Sequence, residues 1–264
     1  MKPYALITGS TSGIGLEIAH NLGKRGFNLM LTARRKVLLK TISIEISKKY
    51  NVKVDYMYGD LSLKETPNKI FEYCNLKKYD INILINNAGY GIVAPFHESE
   101  MEDEEKCIRV LSISVIALTK LFLTKMMKKG DGKIMIVSSV AAFAPPSEVQ
   151  SLYGPTKTFV NKFSELINLN YNKHGIFSTA ICPGYTITNF HTASGVQDEM
   201  NRVPGFLKSS AFRVASESVN AMFKRKHIYV PTKRWKIIAF LLKTVPKPIF
   251  KILSSIIAPG RFAK

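Results

Sequence analysis

Seven short apolar segments alternate with longer segments of helical spacing along most of the chain, and this alternation limits the fold more than any other feature. Each short segment is apolar on both faces, as a parallel strand is when helices cover it on both sides. The predicted strands are residues 4–8, 27–33, 52–58, 81–86, 133–139, 177–182 and 227–230. Strict alternation of strand and helix predicts an α/β fold with a doubly wound parallel sheet of about seven strands, in a single domain over residues 1–232.

The composition is that of a folded protein from a reducing compartment. Hydrophobic residues make up 46% of the 264 residues, which is enough for a full core and excludes a disordered chain. The cysteines Cys74, Cys107 and Cys182 are scattered and form no C-x-x-C pair, so we expect neither a disulfide framework nor a metal site. The first residues, MKPYALITGS, lack the long apolar stretch of a signal peptide. We therefore expect a cytoplasmic location.

A glycine-rich loop, TGSTSGIG, joins the first predicted strand to the first predicted helix over residues 8–15. Gly9 permits a tight turn, Gly13 lets the backbone approach a bound group, and Gly15 lets the helix pack on the sheet. The free N–H groups and positive dipole end of the helix then suit a pyrophosphate. The alternative is a tight strand–helix turn without a ligand, but the position of the loop in an alternating chain favours dinucleotide binding.

Five motifs in this order resemble the short-chain dehydrogenase/reductase family. They are TGSTSGIG, NNAG at 86–89, Ser138-Ser139 at a strand end, YGPTK at 153–157 and PGYTIT at 183–188. The resemblance extends from residue 4 to about residue 190 with few or no gaps. It implies a Rossmann-type fold and an oxidoreductase that transfers hydride between a nicotinamide cofactor and a carbonyl or alcohol.

The spacing Tyr-x-x-x-Lys occurs three times, at Tyr73, Tyr153 and Tyr229. Chance alone produces such pairs in a chain this rich in tyrosine and lysine, so context decides between them. Only Tyr153 follows a strand that ends in serine, and Pro155 falls in a first helical turn, where its missing N–H costs little. The resemblance implies that Tyr153 is the general acid/base, that Lys157 lowers its pKa and holds the nicotinamide ribose, and that Ser139 binds the substrate oxygen.

The end of the second strand predicts the choice of dinucleotide. It reads LTARRK and contains no acid that would bond the ribose hydroxyls and repel a 2′-phosphate. Arg34 and Arg35 therefore predict NADP(H), with Arg34 as the main clamp; the alternative is a basic helix start. The resemblance implies cofactor contacts from the motifs and strand ends together: Gly9, Thr11, Ser12, Gly13, Ile14, Gly15, Arg34, Arg35, Asp60, Leu61, Asn87, Ala88, Gly89, Tyr153, Lys157, Pro183, Gly184, Thr186 and Thr188.

Leu111 departs from the family pattern. The family usually has an asparagine there, on the helix before the serine strand, where it helps to relay protons through water. Ser112 and Ser114 are nearby, but no asparagine is. Either the relay takes another route or turnover is slow, and a dinucleotide-binding sensor or scaffold with little catalysis remains the alternative function.

The predicted substrate end is apolar. Residues 189–211 match a variable lid in the family and contain Phe190, Val196, Met200, Val203, Phe206 and Leu207. We expect Phe143, Pro145, Pro146 and Tyr185 nearby. These residues favour a small apolar carbonyl or alcohol substrate, such as a fatty, 3-oxoacyl or sterol-like ketone; ordinary packing of a lid is the alternative.

The charge of the chain is concentrated at its C-terminal end. The net charge is +19, and residues 201–264 hold 14 Lys or Arg and one acid. No nucleic-acid recognition motif accompanies these cations, so we expect no nucleic-acid partner. Residues 233–264 form a basic amphipathic segment whose longest uncharged run before Lys243, Ile237–Leu242, is too short to span a bilayer. The segment either lies on an anionic membrane, at its cytoplasmic face, or packs on the protein or a partner; we also expect a homodimer or homotetramer.

Overall fold

A seven-stranded parallel sheet forms the centre of the computed structural model, which describes residues 2–145, 152–188, 201 and 203–244. Its strands are β1 (Tyr4–Thr8), β2 (Asn28–Ala33), β3 (Val54–Tyr58), β4 (Ile81–Asn86), β5 (Gly132–Val137), β6 (Ile176–Ile181) and, after two short strands described below, β9 (Ile228–Tyr229). The first and last residues of each strand lie within two residues of the bounds predicted from the sequence. The predicted fold class is therefore confirmed.

The strand order is β3-β2-β1-β4-β5-β6-β9. The chain moves outward from β1 to β3 and then returns to the other side of β1 with β4. Tyr4 of β1 pairs with Asn28 of β2 and with Ile81 of β4. In a sheet of this order, ligands bind outside the carboxyl ends of the strands where the direction reverses, which here is between β1 and β4.

Helices cover both faces of the sheet. They are α1 (Gly13–Lys24), α2 (Lys36–Tyr50), α3 (Thr66–Leu76), α4 (Met101–Ile108), α5 (Ser114–Lys129), α6 (Tyr153–Tyr171), α7 (Ala211–Phe223) and α8 (Lys233–Thr244). One core packs α1, α2 and α7 on the sheet around residues such as Leu22. The other packs α3, α5 and α6 around residues such as Phe122. Burying one large apolar side chain contributes about 1.5–3 kcal/mol, so these two layers hold the sheet between them.

One continuous helix, Met101–Lys129, has the length and hydropathy to cross a membrane. It consists of α4, a π-helical turn at Arg109–Ile113, and α5. Leu118, Phe122 and Met126 on α5 are buried and belong to the core against the sheet. Within the described residues this segment is therefore a core helix of the α/β fold.

Two strands of two residues each were not predicted. β7 (Thr186–Ile187) pairs in parallel with β8 (Ser209–Ser210) beside the C-terminal end of the main sheet. Such short strands are too brief to give an alternating pattern. They connect the two ends of the predicted lid, of which residues 189–200 and 202, with Phe190, Val196 and Met200, lie outside the described residues, as does Pro146.

Candidate active site

The glycine loop after β1 needs glycine at each of its three positions, for different reasons. Gly9 and Gly13 have φ angles of +66° and +57°, in the left-handed region that disfavours side chains. A Cβ on Gly9 would lie 2.8 Å from the Cα of Ala88. A Cβ on Gly15 would lie 2.3 Å from Nδ2 of Asn87 and 2.4 Å from the backbone oxygen of Gly9. The loop therefore keeps its backbone open at the start of α1, where no acidic residue occupies the first turn.

The NNAG loop after β4 is bonded directly to the glycine loop. The hydroxyl oxygen of Thr8 accepts hydrogen bonds from the backbone N–H groups of Asn87 (2.9 Å) and Ala88 (3.0 Å). The Asn87 amide donates to the backbone oxygens of Thr8 (3.0 Å) and Gly9 (3.1 Å). These bonds join the two strand ends at the point where the strand order reverses. Thr8 was missed by the sequence prediction, although it is the first residue of the glycine motif.

Arg34 and Arg35 at the end of β2 make different contacts. The Arg35 guanidinium donates to the hydroxyl oxygens of Thr11 (2.9 Å) and Ser12 (2.8 Å) in the glycine loop. The Arg34 guanidinium lies 5.8 Å from the centroid of the Tyr90 ring. Both arginines are exposed. A basic surface thus borders the start of α1 and suits a phosphate on the adenosine ribose.

Asp60 and Tyr90 complete this end of the site. The Asp60 carboxylate accepts hydrogen bonds from the backbone N–H (2.9 Å) and hydroxyl (2.8 Å) of Ser62, which fixes the turn after β3, and the adjacent Leu61 is buried. Burial raises the pKa of Tyr90 to about 12, while Arg34 acts in the opposite direction. Tyr90 was not predicted as a site residue; its position directly after NNAG was the available signal.

Ser139, Tyr153 and Lys157 meet at the carboxyl end of β5. The Tyr153 phenol and the Ser139 hydroxyl are hydrogen-bonded. The Ser139 oxygen also accepts from the backbone N–H of Ala141 at 3.1 Å, which orients it in the turn after the strand. Tyr153 begins α6 and Lys157 follows one turn later, with its Nζ 5.4 Å from the Tyr153 ring centroid. Lys157 Nζ donates to the backbone oxygen of Val137 at 2.9 Å. The structure therefore brings together the three residues predicted as catalytic.

Burial dominates the electrostatics of this trio. It raises the pKa of Tyr153 to about 12, with the hydrogen bond to Ser139 acting in the opposite direction. It lowers the pKa of Lys157 to about 8. Burial therefore leaves the pKa of Tyr153 raised, whereas Lys157 was expected to lower it. At neutral pH the site holds a neutral phenol beside a lysine that is still mainly cationic, which is the state a general acid requires.

In the two other Tyr-x-x-x-Lys pairs, the tyrosine hydroxyl is bonded to a carboxylate away from the Ser139–Tyr153–Lys157 trio. The Tyr229 hydroxyl donates to the Glu217 carboxylate at 3.2 Å, and this carboxylate also accepts from the backbone N–H of Thr232 at 2.8 Å. Tyr229 thereby connects β9 to α7 and to the start of α8. The Tyr73 hydroxyl donates to the Asp55 carboxylate at 2.8 Å, at the opposite edge of the sheet.

Leu111 lies in the π-helical turn Arg109–Ile113. Its side chain is buried against Gly89: a Cβ on Gly89 would lie 2.8 Å from Cδ2 of Leu111 and 3.9 Å from Nζ of Lys157. The backbone N–H of Ser114 bonds to Arg109 across the wide turn, and its hydroxyl donates to the Val110 oxygen at 2.8 Å. In a regular α-helix the Val110 oxygen would accept from the backbone N–H of Ser114; here it accepts from the Ser114 hydroxyl instead. Wide turns of this kind are frequent at functional sites, and this one places an apolar side chain near Gly89 and Lys157.

We expect Leu111→Asn to raise turnover if the missing amide limits proton relay. The amide would stand beside Gly89 and Lys157, where it could bond to a water molecule near the Lys157 ammonium. Steady-state turnover should be compared with the melting temperature of the same variant. Unchanged turnover in a folded variant would show that protons already reach the site by another route.

The PGYTIT loop is packed between the glycine loop and α8. A Cβ on Gly13 would lie 2.9 Å from Cβ of Thr188, so Thr188 reaches the glycine loop. Thr186 donates to the backbone oxygen of Gly184 at 2.9 Å, and the backbone oxygen of Pro183 accepts from Val140 at 3.0 Å. These bonds tie the loop to the turn that follows Ser139.

Trp235 of α8 packs directly on this loop, and the sequence analysis did not name it as a site residue. Its indole N–H donates to the Leu207 oxygen at 2.8 Å, and its ring meets the Tyr185 ring edge-on with centroids 5.6 Å apart. Val203 and Leu207 are buried around it. Near the end of α8, Lys243 Nζ lies 4.1 Å from the Phe143 ring centroid. The start of the C-terminal segment therefore packs on the PGYTIT loop and reaches the turn that follows Ser139.

We expect Gly184→Ala to destabilise the protein strongly. Its Cβ would lie 2.0 Å from the Trp235 ring, so either the loop or α8 must move. Overpacking typically costs about 1–3 kcal/mol, and a contact this short belongs at the upper end. Gly205→Ala is the matched control, because a Cβ there meets no atom within 4 Å. Equal unfolding midpoints in urea for the two variants would contradict the packing of Trp235 on this loop.

Comparisons with known proteins agree with this geometry. The family model described as short chain dehydrogenase matches residues 3–199. The very-long-chain 3-oxoacyl-CoA reductase of Rattus norvegicus is 32% identical over 189 residues, which are 70% of this chain and 60% of that protein. The hydroxysteroid dehydrogenase-like protein 1 of Gallus gallus is 31% identical over 222 residues, which are 83% of this chain and 65% of that protein. The chain thus spans under two thirds of the length of these relatives.

One solved structure is similar to this chain over nearly its whole length. The short-chain dehydrogenase from Sphingobium yanoikuyae in complex with NADPH superposes with a TM-score of 0.81, at 27% identity, over 93% of this chain and 96% of that chain. The family match covers the glycine loop, the NNAG loop and the Ser139–Tyr153–Lys157 trio, all of which lie at the carboxyl ends of β1, β4 and β5. By sequence, fold and site, the chain belongs to the short-chain dehydrogenase family.

Proposed function

We propose that this protein uses NADPH to reduce the carbonyl group of an apolar, lipid-like substrate, with 3-oxoacyl thioesters as the leading class. The observation that supports this most directly is the Tyr153 phenol, hydrogen-bonded to Ser139 one helical turn from Lys157. The names of the relatives, one a 3-oxoacyl-CoA reductase and one a hydroxysteroid dehydrogenase-like protein, support a reductase of lipid-like ketones.

The residues at the end of β1 and β2 fit a nicotinamide dinucleotide. The open backbone of the glycine loop and the N-terminus of α1 would hold the pyrophosphate. Arg34 and Arg35 would hold the 2′-phosphate, since no acid stands at the β2 end to favour the unphosphorylated ribose. When bound, NADPH supplies the hydride.

The catalytic trio would act on the carbonyl oxygen. The hydroxyls of Ser139 and Tyr153 both donate hydrogen bonds to it, which polarises the carbonyl and orients it. As negative charge develops on the oxygen, Tyr153 transfers its proton to it, and the alcohol forms. The phenolate that remains is stabilised by the Lys157 ammonium until solvent returns the proton.

The residues around the PGYTIT loop suit a substrate that joins an apolar chain to an anionic group. Tyr185 and Phe143, both partly buried, provide apolar surface beside the buried Trp235, and Lys243 over Phe143 provides a cation near the turn that follows Ser139. A 3-oxoacyl thioester of coenzyme A combines an apolar chain with a polyanionic carrier. A neutral ketone of the same chain length lacks the second feature.

The test is NADPH oxidation in the presence of 3-oxoacyl-CoA esters of increasing length, with neutral ketones of matched length beside them. Each buried methylene contributes about 0.8 kcal/mol, so kcat/KM should rise by roughly fourfold per carbon until the pocket is filled. We expect the thioesters to exceed the matched ketones and NADPH to exceed NADH. Activity independent of chain length would exclude an apolar pocket.

A sensor or scaffold that binds NADP(H) is the second candidate, and the leucine at position 111 favours it. Stoichiometric NADPH binding, measured by titration of its fluorescence, combined with no turnover on any carbonyl of the series, would support this candidate over the reductase.

We also propose that the chain assembles as a homodimer or homotetramer in the cytoplasm. The π-helical turn and α6 pack together, and both expose large apolar side chains to solvent: Ile113, Phe159, Leu166 and Leu169. Exposed apolar patches on soluble proteins are typical of association surfaces. Sedimentation velocity tests this proposal, and Leu166→Lys should shift the protein towards a monomer.

A further inference from the structure

We infer that the outward face of α8 docks on an anionic membrane surface. We define this outward face by Ile237, Phe240 and Leu241. The surface lies on the side of α8 opposite Trp235, away from the groups that act on the carbonyl. The inference therefore concerns where the protein works, and it holds or fails independently of the reaction proposed above.

The helix α8 is apolar on two faces. Its inward face holds Trp235 and Ala239, which are 4% and 3% exposed, and it anchors the helix to the protein. Ile237, Phe240 and Leu241 are three and four residues apart, so they share the other side of the helix. Their side chains are 63%, 65% and 45% exposed. A surface helix of a soluble protein normally has one apolar stripe, and the inward face already supplies it.

Cations surround the outward face. At 3.6 residues per turn, Lys236 falls on one flank of the face and Arg234 on the other, while Lys233 lies in the first turn. The helix contains no acidic residue. An apolar strip bordered by lysine and arginine is the arrangement of helices that lie in the headgroup layer, with cations at the phosphates and apolar groups below them.

Phe206 extends the same surface beyond the helix. It is 64% exposed in the short 3₁₀ turn Gly205–Leu207, which is bonded to α8 through Arg234 and through the indole N–H of Trp235. Arg234, which donates to the Phe206 backbone oxygen, lies on the flank of the face next to Leu241. A fourth large apolar group therefore stands beside the face, held in place by backbone hydrogen bonds.

The nearest acid in the sequence does not neutralise these cations. Glu217 accepts hydrogen bonds from Arg213, Tyr229 and the backbone of Thr232, and the first of these contacts is itself an ion pair at 3.0 Å. The Lys236 ammonium donates to the Tyr229 hydroxyl at 3.3 Å, and no ion pair within the described residues involves Lys233, Arg234 or Lys236. Each Lys or Arg near an anionic membrane contributes about 1 kcal/mol.

The charge pattern favours a membrane over a second copy of the chain. Two copies that met symmetrically through this face would bring the same cations together, and repulsion would oppose their association. A helix of 12 residues is about 18 Å long, short of the ~30 Å hydrocarbon core, so it can lie on a bilayer but cannot cross it.

The test is flotation of the full-length protein with phosphatidylcholine vesicles, with and without phosphatidylglycerol, at low and high salt. We expect binding to the anionic vesicles at low salt and release at high salt, because salt screens the lysines and arginines. The double variant Ile237→Ser/Phe240→Ser should bind at least about tenfold more weakly. The double variant Lys233→Gln/Lys236→Gln should lose binding selectively to the anionic vesicles.

The control is Leu76→Ser, since Leu76 is 79% exposed at the end of α3 and lies outside both the outward face of α8 and the proposed association surface. It should float like the unchanged protein. Unchanged thermal unfolding and NADPH affinity in the Ile237→Ser/Phe240→Ser variant would show that α8 still packs through Trp235. The inference is overturned if that variant floats as well as the unchanged protein, or if neutral and anionic vesicles bind equally at both salt concentrations. It is also overturned if the unchanged protein stays in solution and the variant instead lowers its oligomeric state.

Discussion

Tyr153→Phe is expected to abolish reduction while leaving NADPH binding intact. The substitution removes only the hydroxyl that is bonded to Ser139, so the Ser139 hydroxyl can still bond the carbonyl oxygen but the general acid that protonates it is lost. General acid catalysis typically contributes about 10²- to 10⁴-fold, and turnover should fall by that factor. The ring that packs beside Lys157 is retained, so NADPH affinity should stay within a factor of about two to three. Single-turnover kinetics and a fluorescence titration measure the two quantities separately.

Tyr229→Phe is the matched control for this prediction. It also removes a single phenol hydroxyl from a Tyr-x-x-x-Lys sequence, but here the lost bond joins Tyr229 to Glu217 at the edge of the sheet. A bond to a charged group contributes about 1.5–3 kcal/mol at most in this half-buried position, so stability should drop modestly and turnover should stay the same. Equal loss of turnover in both variants would show that Tyr153 has no special role.

Arg34→Ala is expected to weaken NADPH binding by about ten- to a hundredfold and to leave NADH binding nearly unchanged. A charge-assisted bond to the 2′-phosphate would be lost, and such bonds contribute about 1.5–3 kcal/mol. Only NADPH carries that phosphate. Dissociation constants for both cofactors, at one ionic strength, give the selectivity directly.

Arg35→Ala separates phosphate recognition from loop support. Arg35 is bonded to Thr11 and Ser12, so its loss should loosen the glycine loop and weaken both cofactors. We therefore expect a specific effect at Arg34 and at least a partly general one at Arg35. If Arg34→Ala weakened NADPH and NADH equally, Arg34 would lie away from the 2′-phosphate.

The sequence was sufficient for the strands and for the family because both signals are local. A parallel strand covered on both faces must be apolar at every position, so segments such as Ile81–Asn86 are visible without knowledge of their neighbours. A loop that requires glycine at a left-handed backbone angle, as at Gly9 and Gly13, also carries its requirement in the sequence. The order of the motifs then predicted which strand ends would meet.

The tertiary structure decided everything that depends on distance between segments far apart in the chain. Arg34 and Arg35 are equivalent in sequence, and only the packing of β2 beside the glycine loop gives them different partners. The contact of Trp235 with Gly184 joins segments about fifty residues apart, and neither residue signals it alone. The same contact turns one apolar side of α8 inward and leaves Ile237 and its neighbours on the other side exposed. Amphipathic spacing shows that a helix has a face to bury, whereas which face is buried depends on the surface that the rest of the fold presents to it.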